Sequence, residues 1–252
     1  MTENNCLVDF RIRREEKEYL ISQGFNVILN SYNLDLYDEI ASHVDIECVN
    51  VLDNLVTSPR KFEECREEFG RSKVRNIISG NENVSAKYPK DIAYNVCVIG
   101  NKAVHNFDYT DDNLKKLIQE KGYECINVKQ GYANCSTVVI DEMACITSDA
   151  GMAKNLIEHG VDALFVSEPG IKLLKRTNAN EMDQERMFFE YSNMNGFIGG
   201  AMVLIDDTVV IFGDVEKLLN KDKIIDFITK KGKKIRDFKG LDIIDYGGIV
   251  TF

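Results

Sequence analysis

Two stretches of this 252-residue chain hold side chains suited to nucleophilic chemistry. One is Ser42-His43-Val44-Asp45, with an imidazole and a carboxylate two residues apart. The other is Gly131-Tyr132-Ala133-Asn134-Cys135, where a thiol opens a Val-rich run. Thiolate is the attacking form of cysteine, and a neighbouring histidine can generate or stabilise it. With an unperturbed pKa of about 6.5, histidine can alternate as acid and base. The bland readings are a core cysteine in an apolar strand and a histidine that caps the strand after the segment LYDEIAS. Asn95 and Asn134 open predicted strands, where they could bind substrate or complete turns. The segment Phe197-Ile198-Gly199-Gly200-Ala201 could hold phosphate, although no helix start directly follows it. His105 is expected away from the Cys135 end, and His159, beside Gly160, suits a helix C-terminus.

The elements that must position these residues recur as one pattern. Residues 94–128 read as two short apolar runs around a turn, a helix, and a third apolar run. Residues 135–166 and 198–238 repeat this ββαβ plan, and residues 44–79 are a weaker copy. A fifth copy is split between residues 242–252 and residues 5–30. The runs are rich in Val and Ile, as strands require. Polar turns are expected at Asp53-Asn54, Gly100-Asn101, Asp141-Glu142 and Asp206-Asp207. Gly24, Gly122, Gly160 and Gly232 follow helical patterns as left-handed caps. Units that leave sheet edges and an apolar face for the next imply a ring closed where the termini meet. The expected fold is therefore α/β, a five-bladed β/α propeller with pseudo-five-fold symmetry, forming one domain over residues 1–252. Residues 167–197 stand outside the repeat, either as a surface excursion with one short helix or as a lid with Arg176 or Arg186 over the axis.

Composition narrows the function classes. No stretch approaches the ~20 apolar residues of a membrane span, and the N-terminus lacks the apolar core of a signal peptide. Seven dispersed cysteines without a CxxC read as reduced thiols of a cytoplasmic protein, with Cys48, Cys97, Cys125 and Cys145 assigned to the core. A net charge of −10 argues against nucleic acid and is compatible with a cationic substrate. The oligomeric state is not legible.

A ring of five ββαβ units resembles the pentein, or guanidino-group-modifying enzyme, superfamily. The segments YPKDIAYNVCVIGN, KQGYANCSTVVID and GFIGGA further resemble a clostridial-type branch of it, which implies the fold and no activity. Pentein enzymes carry a His-x-Asp motif in one unit, a nucleophilic cysteine two units later, and often a Gly-Gly-Asp-like segment two units before. His43-Val44-Asp45, Cys135 and Gly199-Gly200-Ala201 match those places in circularly permuted order, with Ala201 where an aspartate is expected. Asp91 or Asp149 could supply the missing carboxylate. Cys135, Asp45 and His43 lie six, eight and ten residues before their turns, even offsets that predict one common strand face.

The resemblance implies Cys135 as nucleophile, His43 as acid and base, and Asp45 holding a guanidinium, with Asn95, Asn134, Gly199 and Gly200 lining the substrate. It implies a small cationic guanidino or amidino substrate, a thiouronium-like intermediate, and no metal or organic cofactor. The alternative is a non-catalytic binding protein of the same fold, either ribosome-factor-like or a small-molecule sensor.

Overall fold

The computed structural model describes residues 4–69, 76–177 and 187–252. Their architecture is mixed α/β, with five three-stranded sheets of one plan and a separate two-stranded hairpin. In the sheet of β3 (Cys48–Val51), β4 (Asn54–Thr57) and β5 (Asn76–Ser79), the first two strands are antiparallel. The third returns parallel to the middle strand after helix α3 (Pro59–Phe69). The same order recurs in β6 (Cys97–Ile99), β7 (Lys102–His105) and β8 (Glu124–Asn127). It recurs in β9 (Thr137–Asp141), β10 (Ala144–Thr147) and β11 (Asp162–Phe165), and in β14 (Met202–Ile205), β15 (Thr208–Ile211) and β16 (Lys234–Arg236).

The fifth sheet joins the two ends of the chain. β17 (Ile249–Thr251) pairs antiparallel with β1 (Asn4–Asp9), Leu7 opposite Val250, and β1 pairs parallel with β2 (Phe25–Asn30). The expected pairing of the tail beside the head is thus present.

The middle strands β4, β7, β10 and β15 are buried along nearly their whole length, so side chains pack on both faces. Val138 and Ile140 point into one apolar cluster with Met202, Val209 and Ile211 of the next sheet. Val139, between them, packs into another with Cys97, Ile99 and Val104 of the preceding sheet. Five such clusters connect consecutive sheets, and the one holding Leu7, Val250, Cys48 and Leu55 joins the terminal sheet to that of β3. Each fully buried Val or Ile contributes about 1.5–3 kcal/mol, so every sheet is held mainly by its two neighbours.

Local signals behave as expected at the helix ends, where Gly24, Gly122, Gly160 and Gly232 take φ between +71° and +88°. Two hairpins turn one residue away from the polar pair read in the sequence. The first turns at Leu52-Asp53, with Leu52 at φ +52°. The other turns at Glu142-Met143, where a register shift at Ala144/Cys145 absorbs the offset. Cys48, Cys97 and Cys145 are buried, but Cys125 is exposed and is corrected from the core assignment. Its strand, β8, lies at a sheet edge and shows one face to solvent.

The segment read as an excursion or lid forms a β-hairpin, β12 (Lys172–Arg176) with β13 (Phe189–Asn195). It docks on residues 32–41. Arg176 pairs with Asp38 at 2.8 Å, Ser192 Oγ donates to Glu39 at 2.7 Å, and Phe189 meets Phe10 edge-on at 5.6 Å. Arg186 lies outside the described residues. No helix among them is long and apolar enough to cross a membrane.

Candidate active site

The candidate residues sit on turns that lead into the first strands of their sheets, not on the strands themselves. His43 is extended, at φ −67° and ψ 125°, and precedes one helical turn, α2 (Val44–Glu47), before β3. Phe197 likewise precedes the turn α6 (Ile198–Ala201) before β14. Cys135 lies in a turn closed by Ser136 N–H to Tyr132 O and Thr137 N–H to Asn134 O, both 3.0 Å. The even-offset argument for a shared strand face therefore does not apply, because strand alternation begins only at Cys48 and Thr137. The turns bring the residues together instead.

Asp45 is the meeting point. Its Oδ2 accepts the Cys135 thiol at 2.9 Å and Asn134 Nδ2 at 3.2 Å. Asn95 holds both turns at once. Its Nδ2 donates to Asp45 O and to Cys135 Sγ, both at 3.0 Å. Its Oδ1 accepts the backbone N–H of Asn134 and of Cys135 at 2.9 and 3.1 Å. Asn95 thus spends its amide inside the protein, positioning the thiol.

Gly199 and Gly200 act through what they lack. Gly199 N–H donates to Cys135 O at 2.7 Å, and a Cβ there would lie 2.2 Å from Asn134 O. A Cβ on Gly200 would lie 1.7 Å from Asp245 Oδ1. Only glycine lets the two backbones approach this closely.

Asp245 was missed in the sequence. It receives Phe197 N–H on Oδ2 and Gly247 N–H on Oδ1, both at 2.8 Å. His43 Nδ1 lies 3.7 Å from its Oδ1. This carboxylate occupies the space left by Gly200. Of the two acidic residues considered in place of Ala201, Asp91 accepts Tyr132 OH at 2.5 Å and Asp149 caps helix α5 (Ala150–Glu158). Asp9 was missed too, with Oδ2 3.9 Å from His43 Nε2. Nothing local marks either aspartate, since Asp9 comes from the end of β1 and Asp245 from the C-terminal segment. His105 is buried elsewhere, between Thr110 and Gly131 O.

The cluster is almost sealed, with His43 1% and Asp45 and Cys135 2% exposed. Burial pushes the Asp45 carboxyl up to about 6, while hydrogen bonds from Cys135, Asn134 and Asn95 pull it back. Burial also raises Asp245 and lowers His43, so the imidazole is held neutral. Burial, with Asp45 and Asp245 nearby, holds the Cys135 thiol well above its ordinary value. Among the described residues, Asp45 Oδ1 and both ring nitrogens of His43 have no hydrogen-bond partner. Each such atom costs about 1–3 kcal/mol, a penalty that a bound group bearing N–H donors and acceptors removes. Among the described residues no group of His, Cys, Asp and Glu is arranged to hold a metal ion.

A model of a family of unknown function, DUF6873, matches residues 7–179 and 184–250. The chain belongs to the DUF6873 family. No curated protein matches the sequence. Among solved structures, this DUF6873 chain is similar to a dimethylarginine dimethylaminohydrolase in an adduct with S-methyl-L-thiocitrulline. The TM-score is 0.58 at 8% identity, with 100% of both chains covered. It is similar to the Pseudomonas aeruginosa dimethylarginine dimethylaminohydrolase complexed with citrulline, at TM-score 0.56 and 9% identity over 100% of both. It is also similar to the C. jejuni agmatine deiminase, at TM-score 0.53 and 10% identity, covering 97% of this chain and 88% of that one. The DUF6873 chain thus has the pentein fold.

Proposed function

We propose that this chain is a cysteine-dependent enzyme acting on a small guanidino or amidino compound, in a single domain whose five sheets stand as blades of a closed ring. The five apolar clusters, each joining one sheet to the next and the last to the first, support the ring. The order His43, Cys135, Gly199-Gly200 is read as a circular permutation of the pentein order. The observation that carries the function is the buried constellation of a thiol, an imidazole and two carboxyl groups with unpartnered atoms of Asp45 and His43 at its centre.

The chemistry follows from the groups. A guanidinium brings a positive charge and planar N–H donors, which Asp45 and Asp245 are suited to accept. That charge offsets the two carboxylates that hold the thiol protonated. Cys135 Sγ bonds to the guanidinium carbon as the thiol proton passes to neutral His43. The C–N bond to the leaving amine then breaks, and His43 returns the proton to that nitrogen, leaving a thiouronium on sulfur. Water attacks the same carbon and gives a proton to His43. The C–S bond breaks and the thiolate is reprotonated. Hydrolysis overall turns a guanidinium and water into a ureido compound and an ammonium. An acceptor amine in place of water gives amidino transfer.

A second reading is a non-catalytic binding protein on the same ring. It is favoured by the sealed thiol, which burial keeps protonated and which donates a hydrogen bond to Asp45. Calorimetry with simple guanidines and amidines separates the two. On the enzyme reading, Asp45→Asn loses binding at least tenfold, and Cys135→Ser binds but forms no ureido product or ammonium. Equal binding by both variants, with no turnover by the unaltered chain, contradicts the enzyme reading.

A further inference from the structure

Arg11 is buried, its side chain 1% exposed, and every N–H of its guanidinium is engaged. Nε donates to Asp9 Oδ1 and Oδ2 at 2.9 and 3.1 Å, and Nη2 donates to Asp9 Oδ2 at 2.5 Å. The remaining donors reach three carbonyls: Asp38 at 3.0 Å and Leu174 at 2.9 Å from Nη1, and Glu39 at 3.0 Å from Nη2. Phe189 stacks on the guanidinium at 5.7 Å. These partners belong to three segments: the end of β1, the loop that leads to His43, and the inserted hairpin.

We propose that Arg11 is a positioning residue that denies Asp9 to His43, and that the inserted hairpin is the brace that holds Arg11 in place. This inference rests on the reading of His43 as the acid–base group. Asp9 Oδ2 is 3.9 Å from His43 Nε2, beyond hydrogen-bonding reach, because both of its oxygens are clamped by the guanidinium fork. A buried carboxylate left free at that place would capture the imidazole as an ion pair, and a captured imidazolium cannot take the thiol proton. The groups facing His43 are Asp9 and Arg11 from the end of β1 and Asp245 from the C-terminal segment. Burial is the largest influence on the imidazole, and among these groups Arg11 alone is cationic and opposes the two carboxylates.

The hairpin enters because it supplies the Leu174 carbonyl and the Phe189 ring. At its base, Asp245 N–H donates to Lys172 O at 2.9 Å and Lys172 N–H to Ile243 O at 2.8 Å. One insertion thus ties down both carboxylate segments that flank the imidazole. Its place is bracing these segments, with Arg176 spent on Asp38 rather than on a substrate acid.

The test is an NMR titration of the imidazole nitrogens, readable because the chain has three histidines. In the unaltered protein His43 should titrate below an ordinary histidine. In Arg11→Met its midpoint should rise by about one pH unit or more, as Asp9 captures it. Lysine keeps the charge but cannot span Asp9 and the carbonyls, so in Arg11→Lys the midpoint should rise by a smaller amount, about half a unit. Adding Asp9→Asn to Arg11→Met should return it to the original range. A merely structural role would lower thermal stability in all variants without ordering the midpoints this way. If Arg11→Met does not fold, Arg11→Lys decides. An unchanged His43 midpoint in a folded Arg11 variant overturns the proposal. The titration reads this wiring whether or not Cys135 is a nucleophile, so its failure is distinct from failure of the enzyme reading.

Discussion

Asp45 shows at the residue scale what burying a carboxyl group costs in stability. Its carboxyl is raised from 3.8 to about 6, first of all by burial. A folded value above the unfolded one means that folding favours the protonated form. Asp45 therefore stabilises most below pH 3.8, and that contribution is lost as pH rises through about 6. At pH 8 the ionised, buried carboxylate should be a net burden of roughly 2–3 kcal/mol. Asp45→Asn should then raise stability by about that much at pH 8 and by much less near pH 4, while abolishing guanidine binding. Urea unfolding at the two pH values checks it, and a less stable Asn variant at pH 8 would sink the electrostatic account. His43, Asp45 and Cys135 were picked out in the sequence by the resemblance to pentein motifs together with the unit count, and the structure joins Asp45 to Cys135 directly. Asp9 and Asp245 were not, because ordinary aspartates acquire meaning only from a neighbour distant in the chain, here His43.

At the scale of elements, short turns before the first strands, rather than the strands, aim the side chains. One helical turn at Val44–Glu47 or Ile198–Ala201 carries no apolar periodicity long enough to read, so the sequence suggested strand alternation instead. The hairpins and capping glycines were legible because their signals are local. The close approach of α6 to the segment bearing Asp245 gives a sharp prediction. A methyl group at Gly200 would collide with the Asp245 carboxylate at 1.7 Å. Gly200→Ala should displace Asp245, cost about 1–3 kcal/mol of stability, and weaken guanidine binding more than tenfold. Alanine at Gly232, where a Cβ meets nothing within 4 Å, is the control. It should cost stability through its φ of +71° and leave binding intact. Equal binding by Gly200→Ala and the unaltered chain would show that Asp245 takes no part in recognition.

The whole molecule depends on its ends. Asn5 and Phe252 exchange two backbone hydrogen bonds, each 3.0 Å, so these two residues are already neighbours. A permuted chain with the termini joined by a short linker and reopened at Glu142-Met143 should fold and bind as the original does. Deleting residues 249–252 should instead expose the edge of β1 and the Leu7–Cys48 cluster, lowering the unfolding midpoint in urea and broadening the transition. Unfolding curves of the two variants separate these outcomes, and a deletion variant as stable as the parent would contradict ring closure. The pairing of β17 with β1 was legible because the split unit left one strand at one end and three elements at the other. The bracing hairpin was legible only as an insertion, since its Arg11 and Lys172 contacts depend on tertiary placement.

The most direct measurement is mass-spectrometric mapping of labelling by 2-chloroacetamidine, a cationic reagent that mimics a guanidinium, beside the neutral 2-chloroacetamide. Cys125, the exposed thiol, is the internal reference. The account predicts that the cationic reagent modifies buried Cys135 faster than Cys125, that a guanidine ligand suppresses this, and that the neutral reagent modifies Cys125 first. Labelling of Cys125 by both reagents, with Cys135 untouched, would contradict a nucleophile in a guanidinium site.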